Sequence, residues 1–217
     1  MRSLQPTGNR PSVTLVVAAA LAIWLAFVVL LGAGGAFVRP PGAPPLPILI
    51  GVSAPLIAFL AAFRVVRAFR GFVLAIDLRL VTGIQAWRFA GFGFLALYAH
   101  GLLPGLFAWP AGLGDIAIGI TAPCVVLALI RRPGFAASQP FVVWNLLGVL
   151  DLVVALGTGV LGSGIAVGLA GEVTTGPMAR LPLVLIPGYL VPFFIMLHLA
   201  ALFQARRLAT SGYPSVA

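Results

Sequence analysis

Thirteen basic residues, all of them arginine, lie between long apolar stretches of this 217-residue chain. Six stretches stay apolar over about 20 residues, the length that crosses the hydrocarbon core of a bilayer. Their approximate bounds are Val13–Phe37, Leu46–Phe63, Trp87–Phe107, Gly112–Ile130, Phe141–Leu161 and Leu181–Phe203. The pattern predicts an all-α polytopic bundle of six transmembrane helices.

The composition agrees with a membrane protein and excludes a soluble one. The chain is 61% hydrophobic and 8% charged, with a mean hydropathy of +1.15, whereas a soluble domain carries about 25% charged residues. So few charges could not cover a soluble surface, so the lipid bilayer is the expected partner. We expect residues 1–217 to form a single integral-membrane domain, with room for a homo-oligomer or a partner subunit.

The placement of the arginines predicts how the chain is oriented. Eleven fall in segments on one side of the six stretches, and only Arg39 and Arg180 fall on the other. The eleven are Arg2, Arg10, Arg64, Arg67, Arg70, Arg79, Arg88, Arg131, Arg132, Arg206 and Arg207. The positive-inside rule puts that side in the cytoplasm, with both termini, and favours a multi-pass protein of the plasma (inner) membrane. The rule also accounts for the net charge of +9 without a nucleic-acid partner.

Three segments leave alternatives open. Arg64–Gln85 mixes charges with apolar residues, which favours an interfacial amphipathic helix between spans 2 and 3 over a further span. Gly157–Gly171 is rich in glycine, which should break the fifth helix and leave a re-entrant turn or a loop. The first span could be a signal peptide, but its apolar core of about 19 residues exceeds the usual 7–15, so we expect an uncleaved span.

Ionisable residues inside the predicted spans are the candidates for function. His100, Asp115, Asp151 and His198 all fall there, and an aspartate near the bilayer centre costs roughly 2.5–3.5 kcal/mol. Counting helix rise from Arg88 as the inner end of span 3 puts His100 ~18 Å up, and Asp151 lies at a similar depth of ~16 Å. We expect His100, Asp115 and Asp151 to line one polar cavity, with Asn145 and His198 toward its cytoplasmic end.

Small residues beside the two aspartates support that expectation. Gly119 follows Asp115 by four positions and Gly148 precedes Asp151 by three, so neighbouring helices could approach closely at both acids. Each aspartate could equally be a clamp that only holds helices together by hydrogen bonds.

The motifs permit several functions. The buried aspartates and histidines favour a small protein that translocates a proton, an ion or a solute. One alternative is a haem- or metal-binding redox protein with His100 and His198 as axial ligands, and another is a non-catalytic membrane subunit. A membrane-embedded enzyme is the least favoured class, because the sequence has no HExxH, no CxxC and no histidine-rich cluster.

Overall fold

The computed structural model describes residues 10–40, 42–165 and 173–210. Within these ranges the ordered elements are all helical, and six helices are long and apolar enough to cross a membrane. The predicted helical class and the number of apolar helices are therefore confirmed. The six candidate spans are Val13–Ala33, Leu46–Val65, Leu78–Ala99, Gly105–Arg131, Gln139–Gly164 and Ile186–Thr210, called spans 1 to 6 below.

The spans are built from eight α-helices joined by shorter helical turns. The α-helices are α1 (Arg10–Ala33), α2 (Leu46–Val65), α3 (Arg67–Val73), α4 (Leu78–Ile84), α5 (Phe92–Ala99), α6 (Gly105–Arg131), α7 (Gln139–Val160) and α8 (Val191–Thr210). A 3₁₀ segment, Gln85–Gly91, joins α4 to α5, and a π-helical turn, Ile186–Leu190, leads into α8.

The segments between the spans gather at two ends of the bundle. At one end, which we call the arginine-rich end, Phe63 stacks on Phe203, and the side-chain amide of Gln204 donates to the carbonyl of Val73. At the other, the proline-rich end, the amide of Thr175 donates to the carbonyl of Gly162. The arginine-rich end carries Arg64, Arg67, Arg70, Arg79, Arg131, Arg132, Arg206 and Arg207, and the proline-rich end carries Arg39 and Arg180.

Span 6 is the central helix of the bundle. In the most apolar 18-residue stretch of span 6, half of the residues are buried, against 6% in the corresponding stretches of spans 1 and 2. Span 1 packs on the π-helical turn that precedes α8, where Val28 approaches Gly188, and a side chain at Gly32 would meet Val184. Spans 3 to 6 therefore form the interior of the molecule, and spans 1 and 2 lie on its periphery.

The predicted bounds of span 3 are wrong. The helix begins at Leu78 rather than Trp87 and ends at Ala99 rather than Phe107. Asp77 caps its first turn by accepting from the amide of Arg79 at 2.8 Å, and hydrogen bonds from the side chain and the amide of Arg79 lower the pKa of the Asp77 carboxyl. Most of Arg64–Gln85 thus belongs to α3 and to span 3 itself. Only the short helix α3 separates spans 2 and 3, and its interfacial position stays a prediction.

The glycine-rich segment after α7 turns the chain as its composition indicates. The α-helix ends at Val160, and Gly164 adopts a left-handed φ of 94°, a conformation that costs glycine little. The rest of the predicted re-entrant turn or loop, residues 166–172, lies outside the described residues.

Candidate functional site

Arg88 occupies the centre of a buried group of polar side chains. It lies in the 3₁₀ segment of span 3, and only 2% of its surface is exposed. Its Nε donates to Oδ1 of Asp115 on α6 at 2.7 Å, and its Nη2 donates to Oδ2 of Asp151 on α7. One guanidinium thus joins three spans through two charge-assisted hydrogen bonds, the stronger class of hydrogen bond in proteins.

The third nitrogen of the guanidinium reaches span 6. Nη1 of Arg88 donates to the carbonyl of Gly148 at 3.3 Å and lies 3.1 Å from Nε2 of His198. On the far side of the ring, Nδ1 of His198 lies 2.9 Å from Oδ1 of Asn145. We call Arg88, Asp115, Asn145, Asp151 and His198 the arginine cluster.

The hydrogen bonds define the tautomer of His198. A guanidinium can only donate, so Nε2 accepts from Arg88 and carries no proton. The Asn145 amide nitrogen donates to the carbonyl of Phe141 at 2.9 Å, which turns its oxygen toward the ring. Nδ1 therefore donates to that oxygen, and His198 is a neutral imidazole with its proton on Nδ1.

Glycines let the four spans come close enough for these contacts. A Cβ at Gly91 would lie 2.6 Å from Cβ of Asp115, and one at Gly119 would lie 2.8 Å from the backbone carbon of Arg88. A Cβ at Gly114 would overlap the Asp151 carboxylate, and one at Gly148 would overlap the His198 ring. The role of Gly119 and Gly148 in close helix approach is therefore seen in the structure, with Gly91 and Gly114 in addition.

The charges of the cluster do not balance when every group is ionised. One guanidinium faces two carboxylates, and the neutral His198 adds nothing, so the sum is one negative charge. An uncompensated charge in a low-dielectric interior is costly. A proton or a cation at either carboxylate would bring the cluster to neutrality.

Asp115 connects the cluster to two cavities. A cavity of about 960 Å³ extends from the proline-rich end to Asp115, and a second of about 350 Å³ lies between spans 3 and 6 and also reaches Asp115. The Asp115 side chain is 16% exposed, whereas that of Arg88 is fully buried. Among the described residues Arg88 is the hydrogen-bond partner of Asp115 Oδ1, and the other oxygen, Oδ2, has none.

Four of the five residues that the sequence singles out lie together. Asp115, Asn145, Asp151 and His198 all belong to the cluster; whether they bind a ligand stays a prediction. His100 does not join them. It is exposed, it follows the last residue of α5, and it stands about 18 Å along span 3 from Arg88. The predicted depth of His100 assumes that Arg88 marks the inner end of span 3, whereas Arg88 lies in the middle of that span.

Arg88 itself is the residue that sequence reasoning missed, because its charge placed it with the loop arginines. A helical signal was nevertheless present. Thr82, Gln85 and Arg88 recur every three residues, which puts them on one face of a helix, and all three are at most 2% exposed. Buried polar residues on one face indicate a span that turns this face toward the bundle rather than a surface helix.

Comparisons with known proteins identify a family but no activity. No curated protein and no solved structure matches the chain. Residues 45–206 match the model of a family described as a domain of unknown function, DUF8737. The match begins after span 1, covers spans 2 to 5 and most of span 6, and includes every residue of the arginine cluster. Because it spans 162 of the 217 residues, the chain belongs to the DUF8737 family.

Proposed function

We propose that this protein is a small membrane carrier that exchanges a proton for an ion or a small solute at the arginine cluster. The observation that carries the proposal is the position of Asp115. It belongs to a cluster that carries one excess negative charge when both carboxylates are ionised, and it lines both cavities. A carboxylate in this setting can hold a proton or a cation, but not both, and this competition is what couples the two in a carrier.

A purely structural clamp accounts less well for the same geometry. A clamp is most stable when its charges balance and its polar groups are all paired. Here one oxygen of Asp115 has no partner among the described residues, and Asp115 lines a cavity that reaches the proline-rich end. Ionisable groups that line a cavity within membrane spans commonly mark ion or substrate pathways.

The geometry does not favour the haem alternative. Both ring nitrogens of His198 already lie within hydrogen-bond distance of Arg88 and Asn145. His100 is exposed near the proline-rich end, whereas His198 is fully buried in the cluster. The two histidines therefore do not form a pair of axial ligands.

The orientation that accompanies this function has the arginine-rich end and both termini in the cytoplasm. Moving Arg88 into span 3 leaves ten of the eleven arginines on that side, against Arg39 and Arg180 on the other. The positive-inside bias therefore persists. In this orientation the large cavity faces the outside, and the protein belongs to the plasma membrane.

Proton flux in proteoliposomes tests the proposed function. Vesicles that contain a pH-sensitive dye and an acidic interior are challenged with sodium, potassium or organic ammonium salts outside. The wild type should make the interior more alkaline with at least one salt, and Asp115→Asn and Asp151→Asn should abolish the response. Asp77→Asn, which changes a carboxylate outside the cluster, should retain it.

Two results would contradict the carrier. One is a wild-type response equal to that of protein-free vesicles with every salt, which would favour a structural cluster in a non-catalytic subunit. The other is an unchanged response in both aspartate variants, which would place proton exchange elsewhere in the chain.

A further inference from the structure

The two cavities that meet at Asp115 differ in where they open. The larger extends along span 5 from Leu152 on α7 to Ser163 in the turn that follows it, about 16 Å of helix, and reaches the surface among the loops of the proline-rich end. The smaller opens sideways, next to Trp87 and Gly93, which are exposed on the flank of span 3. That flank would face lipid in a membrane.

The side opening results from how spans 3 and 6 diverge. They pack against each other through Leu78–Ile84 and α8, and Gln85 still donates to the carbonyl of Phe194 at 3.3 Å. Beyond that point the 3₁₀ segment and α5 turn toward α6, where Gly91 and Gly112 allow close contact. A gap between spans 3 and 6 therefore leads from the flank of the bundle to Asp115.

The walls of both cavities are mainly apolar, and the acidic residue that lines both is Asp115, which is paired with Arg88. Phe94, Leu152, Ile186 and Val191 line both cavities, and the Asp115 carboxylate stands among them. Binding sites of this kind bury most of a ligand against apolar side chains and orient it with a few polar groups. An apolar molecule with one positive charge complements this arrangement.

Charge at the two openings favours the sideways route for such a molecule. Among the described residues at the mouth of the larger cavity, the charged ones are Arg39 and Arg180, and both would repel a cation that arrived from water. Apart from Arg88 and Asp115, which are paired with each other, the smaller cavity has no charged residue among its described lining. A lipid-soluble cation concentrates in the bilayer and would reach this opening directly.

We propose that the two cavities form one binding site for an amphipathic organic monocation, which enters between spans 3 and 6 and places its charge against Asp115. The inference rests on the proposed carrier function and names its substrate class. The bound cation neutralises the excess negative charge of the cluster. Among the described residues, Arg88 contacts this carboxylate, and Asp151 and His198 contact the Arg88 guanidinium; these are the other charged or titratable groups in the arginine cluster.

A pair of ions with the same shape and opposite charge tests the substrate class. Equilibrium binding of tetraphenylphosphonium and of tetraphenylborate is measured on the purified full-length protein in uncharged detergent micelles, with protein-free micelles subtracted. Tetraphenylphosphonium should bind saturably, and tetraphenylborate should not. Asp115→Asn should weaken tetraphenylphosphonium binding by about 10- to 100-fold, as expected for loss of a charge-assisted contact, and Asp115→Glu should keep it.

A separate pair of glycine variants tests entry between spans 3 and 6. Gly93 and Gly71 are both exposed, with nothing within 4 Å of a built Cβ. Gly93→Trp should obstruct the opening and slow association of tetraphenylphosphonium, whereas Gly71→Trp on α3 should not. Equal association rates in these two variants would overturn the lateral route.

The comparison of tetraphenylphosphonium with tetraphenylborate tests the substrate class even if the Asp115 variants do not fold, because it needs only the wild-type protein. Equal binding of both ions, or unchanged binding in folded Asp115→Asn, would overturn the proposal. Proton flux with sodium or potassium but no tetraphenylphosphonium binding would remove this substrate class and leave the carrier. Binding without proton flux would keep the site and remove the carrier.

Discussion

Arg88 provides the charge and the geometry that hold the polar interior together. Its nitrogens contact two carboxylates, a backbone carbonyl and an imidazole on three different helices. A planar guanidinium with five donors suits this number of acceptors, whereas the ammonium of lysine is a point charge. The residue is therefore not exchangeable for another basic residue without loss.

Replacing Arg88 tests its role at the residue scale. Arg88→Met leaves Asp115 and Asp151 buried without a counter-charge, and breaking a buried pair in this way costs about 3–5 kcal/mol. We expect a large drop in the thermal midpoint of the purified protein, and a smaller one for Arg88→Lys. The midpoint is read from the loss of helical circular dichroism in detergent.

A charge-free variant provides the control. Combining Arg88→Met with Asp115→Asn and Asp151→Asn removes all three charges, so much of the loss should be recovered. A midpoint for Arg88→Met alone that equals the wild-type value would show that the carboxylates do not depend on Arg88.

At the scale of elements, spans 3 and 4 are held together by backbone contact. The 3₁₀ segment lies directly against α6, and a Cβ at Gly119 would lie 2.2 Å from the backbone nitrogen of Phe89. Backbone atoms cannot rotate away as the end of a side chain can, so this contact tolerates no Cβ. The position of Arg88 beside Asp115 depends on it.

Two glycine-to-alanine changes separate packing from helix propensity. Gly119→Ala should force α6 away from the 3₁₀ segment, with a cost of about 1–3 kcal/mol as in other overpacked interiors. Gly157→Ala on α7 meets nothing within 4 Å and should be neutral or stabilising by up to about 1 kcal/mol. Thermal midpoints of the two variants, compared with the wild type, measure both effects.

One outcome of these midpoint measurements would contradict the role of the close contact at Gly119. Equal midpoints for Gly119→Ala and Gly157→Ala would mean that α6 and the 3₁₀ segment can separate without cost. The close approach would then not be what positions the cluster.

At the scale of the whole molecule, the described lining of the large cavity leads to one end of the bundle. It extends from the arginine cluster to the proline-rich end. Toward the arginine-rich end the interior is closed by packed residues, among them Phe141, Ala201 and Ala205. The orientation of the protein in the membrane therefore decides whether molecules in water reach the large cavity from outside or from the cytoplasm.

Cysteine labelling tests the proposed orientation. In a Cys124→Ala background, Leu102→Cys places a thiol at the proline-rich end and Pro133→Cys places one at the arginine-rich end. Both native side chains are exposed. An impermeant maleimide added to intact spheroplasts should label Leu102→Cys at once and Pro133→Cys only after the membrane is permeabilised. The reverse pattern would invert the proposed topology.

The sequence by itself determined the helical, apolar class of the molecule and singled out four of the five residues of the arginine cluster. Apolar length is a local property, so it predicts which segments become long helices whatever their neighbours are. The cost of burying a charge is also local, and this is why Asp115, Asp151 and His198 are recognisable as anomalous before any contact is known.

Only the tertiary structure decided where span 3 begins and which groups meet. Span 3 has the lowest mean hydropathy of the six, 1.3 against 1.9 to 2.8, because Thr82, Gln85 and Arg88 lower the average over its first half. Inside the bundle, Arg88 and the Gln85 amide nitrogen donate to groups on spans 4, 5 and 6, and Thr82 is enclosed by packing without a hydrogen-bond partner for its hydroxyl among the described residues. A partner on another helix leaves no mark in local composition. From the sequence alone, Arg88 is therefore grouped with the loop arginines, and His100 is predicted at the depth of Asp151. The structure shows neither.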